Sequence, residues 1–345
     1  MKAVRIHAHG GPEVLRYETV PDPVPRADEV LVRVRACALN HLDIWNRKGL
    51  PRPMVPLPHI LGSDIAGEVV AAGELVDDLK PGDAVILNPG VSCGRCRYCL
   101  SGQDNMCAQY HLLGAGRNGG YAQLVAVPRA NAIRKPANLT FAEAAAVPLV
   151  FLTAWHMLVT RARVQPGEEV FIWGASSGVG SAAIQIAKLL GARVIAATQG
   201  EEKEAKARQL GADSVIDYKT TDVLRAVRDM TGGRGVDVVF EHVGEATWDA
   251  SIRMLAKGGR LVTCGNTSGW QGQTDIRYVF ARQLSILGSY MGSKGELLTL
   301  LPWVEAGRLR PVVHAVLPLE DAAEAHRILE SQAQFGKVVL EPPAD

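Results

Sequence analysis

Four cysteines fall in one short segment, Cys93-x2-Cys96-x2-Cys99-x7-Cys107. Two-residue spacers let successive sulfurs converge on one centre, and zinc accepts four thiolates tetrahedrally at about 2.3 Å. With every position filled by protein, such an ion holds structure and activates no water. An iron–sulfur cluster also takes four cysteines, and disulfides are a third reading. A secreted disulfide scaffold is short and cysteine-dense throughout, whereas Cys37 and Cys264 stand alone in a chain of 345 residues. The spacing predicts one structural Zn2+ per chain in a lobe over residues 90–110.

A second segment has the composition of a phosphate cradle. Gly174-Ala175-Ser176-Ser177-Gly178-Val179-Gly180 joins an apolar run, EEVFIWG, to an amphipathic one, GSAAIQIAKLLG. Glycines there permit a tight turn and close backbone approach to a pyrophosphate, which would sit on the helix N-terminus. Gly174, Ser176, Ser177, Gly178 and Val179 are the expected contacts. A dinucleotide that prefers a free ribose usually meets a carboxylate about 20 residues on. Here the next strand ends in Thr198-Gln199-Gly200, and Lys203 follows. The expectation is therefore NADP(H) in preference to NAD(H). A nicotinamide enzyme moves hydride and needs no one-electron relay, which favours zinc over an iron–sulfur cluster in the lobe.

Those residues need elements to position them. Alternating runs such as EVLVRVRACAL (29–39) and AGEVVAAG (66–73), broken by Pro and Gly clusters, predict a β-rich first third. From about residue 150 the rhythm becomes strand–helix. The runs RVIAAT, SVID, VDVVFE, RLVTC and LSILGS follow the first strand, with EEKEAKARQLG, TDVLRAVRDMT and a helix over 248–255 between them. That is the pattern of an open parallel sheet. A last helix (319–330) and strand (337–340) close the chain. The domains expected are residues 1–149, 150–292 and a 293–345 return to the first. Lys plus Arg number 37 against 36 Asp plus Glu, a formal charge of +1, which argues against nucleic acid or a membrane surface as partner. The apolar stretch 144–159 is too short to span a bilayer, and MKAVRIHAHGG does not read as a signal peptide. A cytoplasmic protein is expected.

Taken together these features resemble the medium-chain dehydrogenase/reductase family, the zinc-type alcohol dehydrogenases and their quinone-reductase relatives. The likeness runs through Gly62-Ser63-Asp64-Ile65-Ala66-Gly67, the Pro81-Gly82-Asp83 turn, the cysteine lobe, Gly119-Gly120-Tyr121-Ala122, the Gly174 loop and Gly336-Lys337-Val338-Val339-Leu340. It implies an α/β protein: a GroES-like β-rich catalytic domain plus a Rossmann doubly wound parallel sheet. It also implies cofactor contacts at Tyr218, Val243, Gly244, Gly265, Asn266, Ser289, Tyr290 and Met291, and substrate-pocket walls in loops 46–57 and 270–275. A homodimer or homotetramer is implied as well, with LSILGS as an edge strand open to pairing.

Where relatives hold a catalytic zinc with Cys, His and a further Cys or Asp, this chain carries Asn40, Ser63 and Pro148, none of them a competent ligand. The resemblance places Asn40 and Thr153 near the nicotinamide and Asp43 and Asp64 in the pocket floor. His41 is a candidate proton donor, and His41, His59 and His156 together with Cys37 or Asp64 could rebuild a displaced zinc site. Without a Lewis acid, reducing a conjugated carbon–carbon bond is easier than reducing an isolated ketone, because the charge spreads into an enolate or hydroquinone. The expected substrate is a quinone or α,β-unsaturated carbonyl, with an alcohol dehydrogenase acting on alcohols, aldehydes or ketones as the alternative. From another class, a non-catalytic NADPH-binding regulatory or RNA-binding protein is the third reading.

Overall fold

The computed structural model describes residues 1–50 and 55–344, so part of loop 46–57, expected to line the substrate pocket, lies outside the described residues. The chain divides into two compact units: Met1–Leu149 with Ser293–Gly307 and Pro311–Asp345, and Val150–Gly292 with Arg308–Arg310.

In the first unit, alternation along Glu29–Ala38 buries Val30, Val32, Val34 and Ala36 while Arg35 stays exposed. This strand is the hub of a seven-stranded sheet. It runs antiparallel to Asp64–Ala72, with Ala38 opposite Asp64, and its end pairs with Lys337–Glu341, with Ala38 opposite Val339. A strand that the sequence pattern does not signal, Val313–Pro318, forms one edge, parallel to Lys337–Glu341. Its side chains are half-buried and exposed by turns, too weak an apolar signal to notice.

In the second unit, six parallel strands lie in the order Ser214–Asp217, Arg193–Thr198, Glu169–Ile172, Val236–Glu241, Leu255–Thr263 and Ser285–Gly288. Along the middle of this sheet residues 170–172, 194–197 and 238–240 are fully buried apolar runs, as expected of a parallel sheet covered on both faces. The connecting helices include Gly178–Leu189, Glu201–Gln209 and Val223–Met230. One boundary differs from expectation. The helix expected over 248–255 runs Glu245–Arg253, and the strand already starts at Leu255. Lys257-Gly258-Gly259 lies inside that strand rather than before it, with Gly258 at φ +75° and a register shift against Val236–Glu241. Glycine marked a bulge here, not a turn.

Candidate active site and metal lobe

In the lobe, Arg97 opens the short Arg97–Leu100 helix, with Cys96 at its N-cap. This turn brings Cys93, Cys96, Cys99 and Cys107 together, all four sulfurs within 4.8 Å of one another. Cys96 and Cys99 sulfurs are 3.5 Å apart, and Cys93 and Cys99 3.9 Å. A tetrahedron with zinc–sulfur bonds of about 2.3 Å has edges of roughly 3.8 Å, so the donor set and its spacing both fit zinc. Backbone N–H groups of Arg95 and Cys96 favour the Cys93 thiolate, bringing that thiol down to about 6. Just before Cys107, the Asp104 carboxylate accepts the Lys294 N–H at 2.9 Å, joining the lobe to the Lys294–Glu305 helix of the same unit.

Elsewhere in that unit the strand ends assemble a buried polar cluster. Asn40 leaves the Glu29–Ala38 strand and caps the His41–Lys48 helix, and the register above sets Asp64 beside it. Asp64 Oδ2 accepts from Asn40 Nδ2 at 2.9 Å and from Lys337 Nζ at 2.9 Å, while Oδ1 accepts the Leu149 N–H at 2.8 Å. Lys337 also donates to Asn40 Oδ1 at 2.5 Å. Asp64 is fully buried, and Asn40 and Lys337 are 6% and 4% exposed. Ser63, also buried, donates to the Leu113 carbonyl at 2.6 Å. Pro148 offers no donor atom for a metal. Among the described residues the four cysteines are the one group of His, Cys, Asp or Glu side chains converging as metal ligands would.

Asp43 is buried one helical turn on, with Oδ2 accepting the Asn40 N–H at 2.8 Å and Oδ1 the Gly62 N–H at 3.0 Å. Desolvation outweighs these donors and pushes its carboxyl up to about 6. Beyond it lies a chain that sequence reasoning missed. Arg47 Nη1 donates to His326 Nδ1 at 3.1 Å, so the proton sits on Nε2, which donates to the Tyr121 hydroxyl at 3.1 Å. Tyr121 in turn bonds Asp43. Burial, reinforced by Arg47, takes His326 down to about 3. His41 begins the helix, half-buried, with its ring edge-on to Trp45 at 5.1 Å. His59 is buried and bonded to the Gly114 backbone.

In the second unit, Gly174 takes φ +53°, and Ser177 caps the Gly178–Leu189 helix by accepting the Gly180 N–H at 2.9 Å. A Cβ on Gly180 would stand 2.3 Å from the Gly174 carbonyl oxygen, so only glycine closes this turn. Ser176, Gly178 and Val179 remain partly exposed over the first-turn N–H groups, the arrangement an anion needs. Thr198 is buried, its carbonyl accepting the Tyr218 N–H at 3.1 Å, and Tyr218 donates to Gln199 Oε1 at 3.1 Å. Lys203 is half-buried, its ammonium pulled down by desolvation. The Asp217 carboxylate, from the neighbouring strand, accepts the Gly200 N–H at 2.9 Å.

Glu241, the buried carboxylate that ends the Val236–Glu241 strand, organises the next loop. It accepts from Val243 N–H (2.6 Å), Gly244 N–H (3.0 Å), Thr247 (2.9 Å) and Ser251 (2.6 Å). Gly244, Gly265, Asn266 and Ser289 meet around a cavity of about 420 Å³, together with Cys264, Trp248 and Trp270. Burial pushes the Cys264 thiol up to about 12. Tyr290 is exposed, Met291 is buried at φ +53°, and Thr153 donates to the Met291 sulfur at 3.8 Å. His156 is buried in a π-helical turn, His156–Arg161.

Residues 26–137 match the alcohol dehydrogenase GroES-like domain, and residues 178–306 match the zinc-binding dehydrogenase domain. A solved NAD-dependent alcohol dehydrogenase superposes with a TM-score of 0.96 at 52% identity, covering 99% of each chain. An NAD-dependent alcohol dehydrogenase of Sulfurisphaera tokodaii is 32% identical over 355 aligned positions, 99% of this chain and 100% of that one. The quinone oxidoreductase of Sus scrofa is 33% identical over 350, covering 99% and 97%. The chain belongs to the medium-chain dehydrogenase/reductase family. It is an NAD(P)-dependent oxidoreductase, of the alcohol dehydrogenase or quinone oxidoreductase kind.

Proposed function

We propose that the protein reduces quinones or α,β-unsaturated carbonyls with NADPH, using no catalytic metal, and carries one structural zinc on Cys93, Cys96, Cys99 and Cys107. The observation that carries this reading is the state of the three positions where relatives anchor a catalytic zinc. Asn40 is tied to Lys337 and Asp64, Ser63 is committed to a carbonyl, and Pro148 has no donor. Bound NADPH supplies a hydride. The protein's part is to orient the acceptor and stabilise the oxygen that becomes enolate or hydroquinone. Asn40 serves as hydrogen-bond donor there, with His41 and Thr153 beside the reacting groups and Asp43 holding the Asn40 backbone. The proton that completes reduction comes from solvent or from His41.

The absence of a carboxylate at Thr198-Gln199-Gly200, with Lys203 on the following helix, supports NADPH over NADH. The Gly174–Val179 turn carries the pyrophosphate, Val243, Gly244, Gly265 and Asn266 make further cofactor contacts at the strand ends, and Ser289, Tyr290 and Met291 lie near the nicotinamide. The Ser285–Gly288 edge strand, with Ile286 exposed, supports pairing with a second copy in a homodimer or homotetramer. Likeness to named alcohol dehydrogenases supports a second reading, oxidation of alcohols. A panel of quinones, enones, aldehydes and alcohols, assayed with both cofactors before and after a chelator, tests the pair. NADPH oxidation by quinones or enones that survives chelation is expected. Turnover confined to alcohols and abolished by the chelator overturns it.

A further inference from the structure

Lys337 is a buried cation of the first unit with no task yet in the proposed hydride transfer. A buried ion pair is a weak source of stability, since apolar residues of similar volume often do as well. What the Lys337–Asp64 pair does accomplish is visible in the Asn40 amide. An ammonium only donates, so the oxygen of that amide must face Lys337 and its nitrogen must face Asp64. One amide hydrogen goes to Asp64 at 2.9 Å, and the other has the Ala38 carbonyl at 3.5 Å, the outer limit of a hydrogen bond. The amide is therefore locked in one orientation with one donor barely used. The cation on its oxygen also polarises it, which strengthens that donor.

We propose that Lys337 is a positioning residue, which together with Asp64 orients the Asn40 amide so that its spare N–H is offered to the oxygen of a carbonyl or quinone acceptor. The role rests on the function proposed above. Asp64 neutralises most of the Lys337 charge, so the lysine acts by orientation and not as a substitute for a metal's field.

The test is a mutant cycle on the full-length protein, read by steady-state kinetics with a quinone and an enone, NADPH affinity by fluorescence, and thermal unfolding. Lys337→Met alone leaves Asp64 unpaired, so the background used is Asp64→Asn/Lys337→Met, in which both charges are gone. That background is expected to lose about 100-fold in kcat, the usual size for one oxyanion donor, with NADPH affinity within about twofold. Asn40→Ala should cost the parent a similar factor but cost the charge-free background less than about threefold, because its donor is already misdirected. Lys337→Arg, which keeps the cation, should retain more activity than Lys337→Met. Equal costs of Asn40→Ala in both backgrounds overturn the role of Lys337 and leave the proposed function standing. A parent inactive toward every quinone and enone overturns the function itself, and this role with it.

Discussion

The cysteine lobe and the Asn40 cluster solve the same problem, holding irregular chain in place, with opposite means. The lobe buries little and brings four sulfur donors into a space sized for one ion, three of them partly exposed. The Asn40 cluster is almost wholly buried, with only Asn40 and Lys337 slightly exposed, and supplies its own cation, the Lys337 ammonium. With zinc bound as proposed, the first would depend on something the solvent must provide, whereas the second is complete within the chain. Loss of metal should therefore be felt in the lobe and hardly at all in the cluster.

Chelation, or Cys99→Ser, breaks that comparison most forcefully. Zinc content is expected to fall from one per chain to none, and amide exchange in residues 90–112 to accelerate by about 100-fold or more. The Glu29–Ala38 strand should keep its protection. Exchange that rises equally in both regions would mean that the lobe supports the whole sheet. A smaller effect sharpens the other side. Lys337→Met should destabilise the fold by about 3–5 kcal/mol, because it strands a buried carboxylate. Adding Asp64→Asn should recover about 2–3 kcal/mol of that loss, measured by urea unfolding. Additive costs would show that the pair does not interact.

The smallest effects lie in the pH dependence of the neighbouring chain. The carboxyl of Asp43 is raised in the fold to about 6, so its stabilising contribution is full at pH below about 4 and is lost as pH rises through 6. His326 is lowered to about 3, so its contribution is full above pH 6.5 and is lost as pH falls toward 3. Between about pH 4 and 6 the two slopes oppose each other. Relative to the parent, Asp43→Asn should therefore gain stability as pH rises through that window, and His326→Gln should gain it as pH falls. Each slope is bounded by about 1.4 kcal/mol per pH unit. Parallel stability curves for parent and variants would refute both shifts.

Much of this was legible locally. The six parallel strands announced themselves as apolar runs between helical ones, and the cysteine lobe and the Gly174 turn are each spelled out within one short segment. Alternation along Val30, Val32 and Val34 also declared which face of that strand is buried. What stayed hidden depends on partners far away in sequence. Lys337 was in view as part of a closing motif, but nothing in KVVL says that its ammonium meets Asp64. Glu241 looked like an ordinary strand end until its four donors gathered around it. Arg47, His326 and Tyr121 come from a helix, a second helix and a loop, and only their packing makes them a chain. A lysine leading a glycine-bounded apolar strand was the local signal that pointed furthest toward the cluster.

Asp64 and Lys337 stand 273 positions apart in the chain, and this has a consequence during synthesis. A ribosome delivers the carboxylate long before its counter-ion, and burying it alone would carry the cost of an unpaired charge. Closure of the first sheet around Asp64 is therefore expected to wait for the late strand that brings Lys337.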